Sequence, residues 1–127
     1  MRFLALTVGL VASALVGACG SAPLVVCDAV AVTAIQLRVV DALTGTPTAS
    51  QSSVIVVYPA GGTDTLRAGL TPSYDSAVFD IGVNPGTYRL TLRKPGYGDW
   101  SNNAVVVGAD GCRAVTVNLV AAIQKSP

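Results

Sequence analysis

Apolar residues recur along most of this chain in short β-branched runs that alternate with polar residues and break at turn formers, the pattern of half-buried strands. In the run from Val30 to Val40, Ile35, Leu37 and Val39 fall on one face and Gln36 and Arg38 on the other. Asp41-Ala42-Leu43-Thr44-Gly45 then makes a turn, with Gly45 suited to a positive φ. From Ser53 to Tyr58 both alternating sets are apolar, which fits a central strand covered on both sides. Thr63 to Arg67 is short and polar, as an edge strand would be, and Gly69 to Ser73 reads as a loop. Ser76 to Ile81 is a fourth run, expected to pack Val78 and Phe79. Asn84-Pro85-Gly86 is a strong turn signal, and Thr87 to Arg93 is the clearest alternation: Tyr88, Leu90 and Leu92 against Arg89, Thr91 and Arg93. Pro95-Gly96-Tyr97-Gly98 interrupts it. Asn103 to Val107 and Cys112 to Ala121 complete the set, the last with Val115, Val117 and Leu119 opposed to Thr116 and Asn118. Seven such runs, with no helical stripe among them, predict an all-β, seven-stranded antiparallel Greek-key sandwich over residues 30–123, with a frayed tail at 124–127.

The first eighteen residues follow a different rule. Arg2 precedes an apolar stretch from Phe3 to Val16, broken only by Thr7, Gly9 and Ser13 and closed by Gly17-Ala18-Cys19. A positive end, an apolar run and small residues form a secretory signal peptide, shorter than the ~20 residues of a membrane span. Two cleavage readings fit. Val16-Gly17-Ala18-Cys19 matches a bacterial lipobox, with cleavage before Cys19 and a diacylglyceryl group on its thiol. Ordinary signal-peptidase cleavage near Ala18 or Ala22 is the alternative. The lipobox gives Cys19 a purpose, because two or more acyl chains anchor a protein stably where one does so marginally. Membrane lipid held through acylated Cys19 is then a partner, and residues 19–29 form a tether. The localisation expected is the cell envelope; Gly20 rather than Asp after Cys19 points to the outer membrane if the organism has two.

Composition narrows the chemistry. The 127 residues include 3 cysteines and no His, and all 7 acidic residues are Asp. Without His there is no Ser-His-Asp or Cys-His arrangement and no histidine metal site. Loss of Arg2 with the signal leaves 7 basic and 7 acidic side chains. A balanced chain whose only basic cluster is Arg93-Lys94 lacks the charge that dominates nucleic-acid affinity, so no nucleic-acid partner is expected. With Cys19 acylated, Cys27 and Cys112 remain in an exported chain, where disulfides persist. Their pairing closes a loop of about 86 residues and contributes roughly 4–5 kcal/mol on a loop-entropy argument. Two free thiols are the alternative, and C-x-x-C spacing is absent.

Two stretches resemble a known family. Leu37-Arg38-Val39-Val40-Asp41-Ala42-Leu43-Thr44-Gly45-Thr46-Pro47 resembles the opening of a carboxypeptidase regulatory-like domain: a hydrophobic strand, an Asp, a Thr-Gly turn and a Pro. Pro85-Gly86-Thr87-Tyr88-Arg89-Leu90-Thr91-Leu92-Arg93-Lys94-Pro95-Gly96-Tyr97 is similar to that family's Pro-Gly-x-Tyr-x-Leu strand ending in Gly-Tyr. The chain departs from the family in having Leu37 where Gly is frequent, and Thr48-Ala49-Ser50-Gln51 after Pro47 where Gly-Ala-x-Val is frequent. The resemblance implies a transthyretin-like (prealbumin-like) sandwich acting as an accessory module, with no catalysis. The second motif also stands on physics: Pro85-Gly86 reverses the chain, and Tyr88 can bury its ring while its hydroxyl reaches the rim.

Tyr97 and Trp100 are the candidate binding residues, since exposed aromatic rings stack on sugars or partner side chains. The competing reading is that they cap one end of the core. The Asp residues suit turns; calcium takes six to eight oxygens, and no Asp-x-Asp-x-Asp loop exists. Gly61-Gly62 lacks the Gly-Lys-Ser/Thr order of a phosphate loop, and Ser50 to Ser53 reads as a polar loop with no base to activate a hydroxyl. No catalytic residue, metal or cofactor is expected. The function expected is a non-enzymatic envelope lipoprotein module that is structural or binds an envelope protein or glycan, against a small carbohydrate- or peptide-binding protein using Tyr97 and Trp100.

Overall fold

In the computed structural model, residues 31–127 are described, and their regular structure is all-β apart from one 3-10 turn at Pro72–Tyr74. The expected signal peptide, the Cys19 lipidation site, the tether and Cys27 lie outside the described residues. Seven strands build two sheets. In one, β1 (Ile35–Asp41) lies between β4 (Val78–Ile81) and β9 (Val117–Ile123). In the other the order is β3 (Thr63–Arg67), β2 (Ser53–Val57), β5 (Gly86–Arg93) and β6 (Trp100–Val107). The two remaining strands, β7 (Ala109–Asp110) and β8 (Arg113–Ala114), form a small hairpin.

Alternation sets which side chains face inward. Ile35, Leu37 and Val39 of β1, Phe79 and Ile81 of β4, and Ala121 and Ile123 of β9 are buried from one sheet. Val54 and Val56 of β2, Tyr88, Leu90 and Leu92 of β5, and Val105 and Val107 of β6 are buried from the other. Together they form one hydrophobic cluster, so the two sheets share a core. Each fully buried aliphatic side chain there contributes about 1.5–3 kcal/mol relative to exposure.

Several expectations are corrected. The sheets are not antiparallel throughout: β1 and β9 run parallel over their whole length, from Ile35 opposite Val117 to Asp41 opposite Ile123. Alternation reports period and not direction, so the pattern could not distinguish the two. The tail is not frayed, because the Gly98 N–H donates to the Gln124 carbonyl at 2.8 Å, the Ser126 N–H donates to the Gly96 carbonyl at 2.9 Å, and Tyr97 bridges to Lys125. Val78 faces outward at 42% exposure, and Phe79 and Ile81 fill the core instead. The run from Cys112 to Ala121 divides: Cys112 sits in the turn of the β7–β8 hairpin, and β9 begins at Val117. The sixth strand starts earlier than its apolar part, at Trp100, and tolerates a register shift at Asn103-Ala104 opposite Arg89. β2 is interior to its sheet, yet its outward residues Ile55 and Val57 are only half-buried, with no further sheet over them among the described residues.

The Tyr88 reading is borne out. Its ring is fully buried, packs edge-on to Tyr58 at 6.0 Å between centroids, and its hydroxyl donates to the Asn84 carbonyl at 2.6 Å. Gly82 makes room for that ring. It has φ +64, and a Cβ there would lie 2.7 Å from Tyr88 Cε1.

Candidate functional site

The two ends of the fold differ. Residues 31–34 enter at one end, where the Thr116 hydroxyl donates to the Thr33 carbonyl at 2.7 Å and the Ala34 N–H donates to the Gly82 carbonyl at 2.9 Å. The β7–β8 hairpin and the turns at Tyr58–Gly62 and Gly82–Pro85 belong to this end. At the opposite end β1, β5 and β9 terminate together, and the loops after β1 and β5 meet the C-terminal residues.

Asp41 organises that second end. It is the last residue of β1, and the chain must turn there. Its Oδ1 accepts the backbone N–H groups of Leu43 at 2.9 Å and Thr44 at 3.1 Å, an Asx-type turn. Gly45 closes the turn at φ 71, donating its N–H to the Asp41 carbonyl at 2.8 Å. The other carboxylate oxygen, Oδ2, accepts the Tyr97 hydroxyl at 3.0 Å, joining residues 56 apart in sequence. Lys94 lies over the Tyr97 ring, with Nζ 5.4 Å from the centroid, and donates to Thr48 at its carbonyl, 2.8 Å, and its hydroxyl, 2.9 Å. A shallow groove beside this cluster is lined by Ala42, Leu43, Thr44, Gln124 and Lys125, with Leu43 almost wholly exposed.

The hydrogen bonds to Asp41 are electrostatic in effect. The N–H groups of Leu43 and then Thr44 hold its carboxyl below the ordinary value of 3.8; the Tyr97 hydroxyl and the Lys125 charge act the same way, and together they outweigh its burial. Asp75 is lowered too, chiefly by the Ser50 hydroxyl and also by the Ser50 N–H. A carboxyl that is harder to protonate when folded stabilises the fold above its unfolded value, and that stability is lost as the pH falls through the folded value. Thermal unfolding followed from about pH 7 to about pH 2 should therefore show stability falling below the ordinary 3.8. Asp41→Asn should be less stable than the parent at neutral pH, and the gap should narrow in acid as the parent loses its charge. A gap constant across that range would show that the Asp41 charge is irrelevant.

Chemically, this cluster is a structural network. Both Asp41 oxygens are occupied, Lys94 is turned to Thr48, and no group of three or more His, Cys, Asp or Glu able to hold a metal occurs among the described residues. Tyr97 and Trp100 are both half-buried and packed against the core, so neither ring is fully exposed. Trp100 pairs with Leu92 on the inward side of β6 and takes no part in the Asp41–Tyr97 bond. The expected polar loop at Ser50 to Ser53 is instead partly internal. Ser50 and Ser52 are buried, their hydroxyls bonded to Asp75 and to the Ala49 carbonyl. Cys112 is exposed in its turn and is not a free thiol. The Asp41 turn was legible in the sequence. Its link to Tyr97 was missed, because nothing local relates residues so far apart.

No family model matches the chain, and no curated protein is significantly similar to it in sequence. No helix among the described residues is long and apolar enough to cross a membrane, which says nothing of a β-barrel.

Proposed function

We propose that this chain is a non-enzymatic interaction module of the carboxypeptidase regulatory-like type, a transthyretin-like Greek-key sandwich held in the cell envelope by acylated Cys19. The observation that carries this reading is the separation of the two ends. The chain enters the sandwich beside Thr116 and Gly82, and the Asp41–Tyr97 loops lie at the far end. A tether from Cys19 would leave at the first end and hold the loops away from the lipid. The buried Tyr88, with its hydroxyl bonded four residues back, supports the family likeness because it gives the Pro-Gly-x-Tyr motif a structural purpose. The use of both Asp41 oxygens within the fold supports a module without acid–base chemistry.

The same reading pairs Cys27 with Cys112. Cys112 lies on the hairpin at the entry end, a few residues before Thr116, and Thr116 touches Thr33. Extended chain covers about 3.3–3.6 Å per residue, so the segment from Thr33 back to Cys27 is long enough to reach it. A sugar- or peptide-binding platform at Tyr97 and Trp100 is the weaker reading, because both rings are half-buried against the core.

Metabolic labelling with palmitate tests the anchor. The full chain should take up label and sediment with membranes, and Cys19→Ala should lose the label and appear in the soluble fraction. An unlabelled parent, or a Cys19→Ala variant that stays with the membranes, would overturn the proposal.

A further inference from the structure

The entry end of the fold carries an apolar groove. The turns after β2 and β4 form its walls, with Tyr58, Pro59 and Ala60 from the first and Val83 and Pro85 from the second. Tyr88 lies beneath, fully buried and edge-on to Tyr58. The groove encloses about 550 Å³, and no charged side chain lines it. The two turns meet at Pro59 and Gly86, where a Cβ on Gly86 would lie 2.5 Å from the Pro59 Cβ. Val83 is half-exposed and Ala60 exposed, so both offer apolar surface that the fold itself does not cover.

The chain enters the fold beside this groove. The Ala34 N–H donates to the carbonyl of Gly82, one of the lining residues, at 2.9 Å. Before the described residues, the sequence holds Leu24-Val25-Val26, an uncharged aliphatic run between Pro23 and Cys27. We propose that Leu24-Val25-Val26 occupies the groove, laid across the turns at Tyr58–Gly62 and Gly82–Pro85. Reach allows it, because the chain from Val26 to Ala34 spans up to about 28 Å when extended. A pairing of Cys27 with Cys112 agrees with it: Val107, just before the β7–β8 hairpin, stands opposite Gly86, which touches Pro59. Leu24 to Val26 are then the next residues within reach of the groove. Apolar side chains suit walls without charge, whereas an ion or a sugar would find no charged group there, and the Asn84 carbonyl is already taken by the Tyr88 hydroxyl. A segment attached so close by is present at about millimolar effective concentration, which a free peptide or a second copy would have to exceed. The docking needs no acyl group on Cys19. Its consequence for the anchor does rest on that reading: the free tether would shrink to residues 19–23, holding the entry end close to the lipid.

Elastase digestion read by mass spectrometry tests it on the protein as the cell produces it. Elastase cuts after small aliphatic residues, and Val25 and Val26 offer such bonds. The parent should be cut there about tenfold or more slowly than Val83→Lys, which puts a charge into the groove at a half-exposed position outside the core. Leu43→Lys, in the groove at the far end, should be cut as slowly as the parent, and matching thermal unfolding would show that both variants fold. Cys19→Ala should keep the protection, so a protein that takes no palmitate yet stays protected would fail the anchor reading alone. In nuclear magnetic resonance spectra of the parent, methyl groups of Leu24 or Val26 should show Overhauser contacts to the Tyr58 ring or Pro85 within one chain. Equal cutting of the parent and Val83→Lys would overturn the proposal. So would protection lost in Cys19→Ala, which would mean that lipid shields the segment, or Overhauser contacts that are absent or arise only between chains.

Discussion

Tyr88→Ala should lower the stability of the fold by about 3–5 kcal/mol, the range for deleting a large buried ring. For a domain of this size that is a fall in Tm on the order of 15–30 °C. The ring is fully buried and touches Tyr58 edge-on, so its removal leaves a cavity between the sheets. Gly82, which already approaches the ring so closely that no Cβ fits, has no side chain with which to fill the space. Tyr88→Phe separates packing from the hydroxyl. It keeps the ring and loses only the bond to the Asn84 carbonyl, which should cost about 1 kcal/mol. Thermal or chemical unfolding of the three proteins checks the ordering. A Tyr88→Ala variant within about 1 kcal/mol of the parent would show that the ring is not a centre of the core.

The second large effect concerns the proposed disulfide. Under non-reducing conditions, Cys112→Ser and Cys27→Ser should each lower stability by about 2–5 kcal/mol. The double variant should lose no more than either alone, since the two changes remove one bond. Cys19→Ser should leave the stability of the folded domain unchanged, because that thiol is assigned to the lipid. Non-reducing mass spectrometry of the parent should find the Cys27 and Cys112 peptides linked. Linkage of Cys112 to Cys19 would overturn both the pairing and the lipid assignment. The placement argues for a large effect. The bond would join the segment before residue 31 to the β7–β8 hairpin, just ahead of β9, and β9 is the parallel neighbour of β1. It would tie together the leading ends of β1 and β9, neighbouring strands that lie far apart in the sequence.

Strand content was legible because it is a local property. Leu37 and Val39 alternate with Gln36 and Arg38, and Leu90 and Leu92 with Thr91 and Arg93, and each set went to the side its polarity required. The turn at Asp41 to Gly45 was readable for the same reason: a short carboxylate and a Gly four residues later satisfy the backbone from within the turn. Where both alternates were apolar, the rule failed. Val78 and Phe79 could not be sorted without knowing that Phe79 opposes Leu37 across the sheet. Val115 looked continuous with Val117, but the chain bends through the hairpin first and leaves Val115 half-exposed. The tail looked free because Gln124 to Pro127 has no apolar periodicity, and backbone hydrogen bonds to Gly96 and Gly98 hold it without needing any.

The candidate site was less legible than the fold. Tyr97 was visible as an aromatic residue in a Gly-rich loop, but its partner, Asp41, is 56 residues away. The groove residues at the entry end were visible one at a time; that Pro59 and Val83 line one groove depends on where the turns after β2 and β4 come to lie.

By itself the sequence determined an all-β chain, the inward face of its principal strands, the Asp41 and Pro85-Gly86 turns, and the burial of Tyr88. These follow from side-chain period and backbone conformational preference, which act over a few residues. Only the tertiary structure decided that β1 and β9 run parallel, that the C-terminal residues pair with the Tyr97 loop, and that the turns after β2 and β4 line one groove. Those outcomes depend on which strands become neighbours. That choice is made by burying one common core between two sheets, and no local stretch of the chain records it.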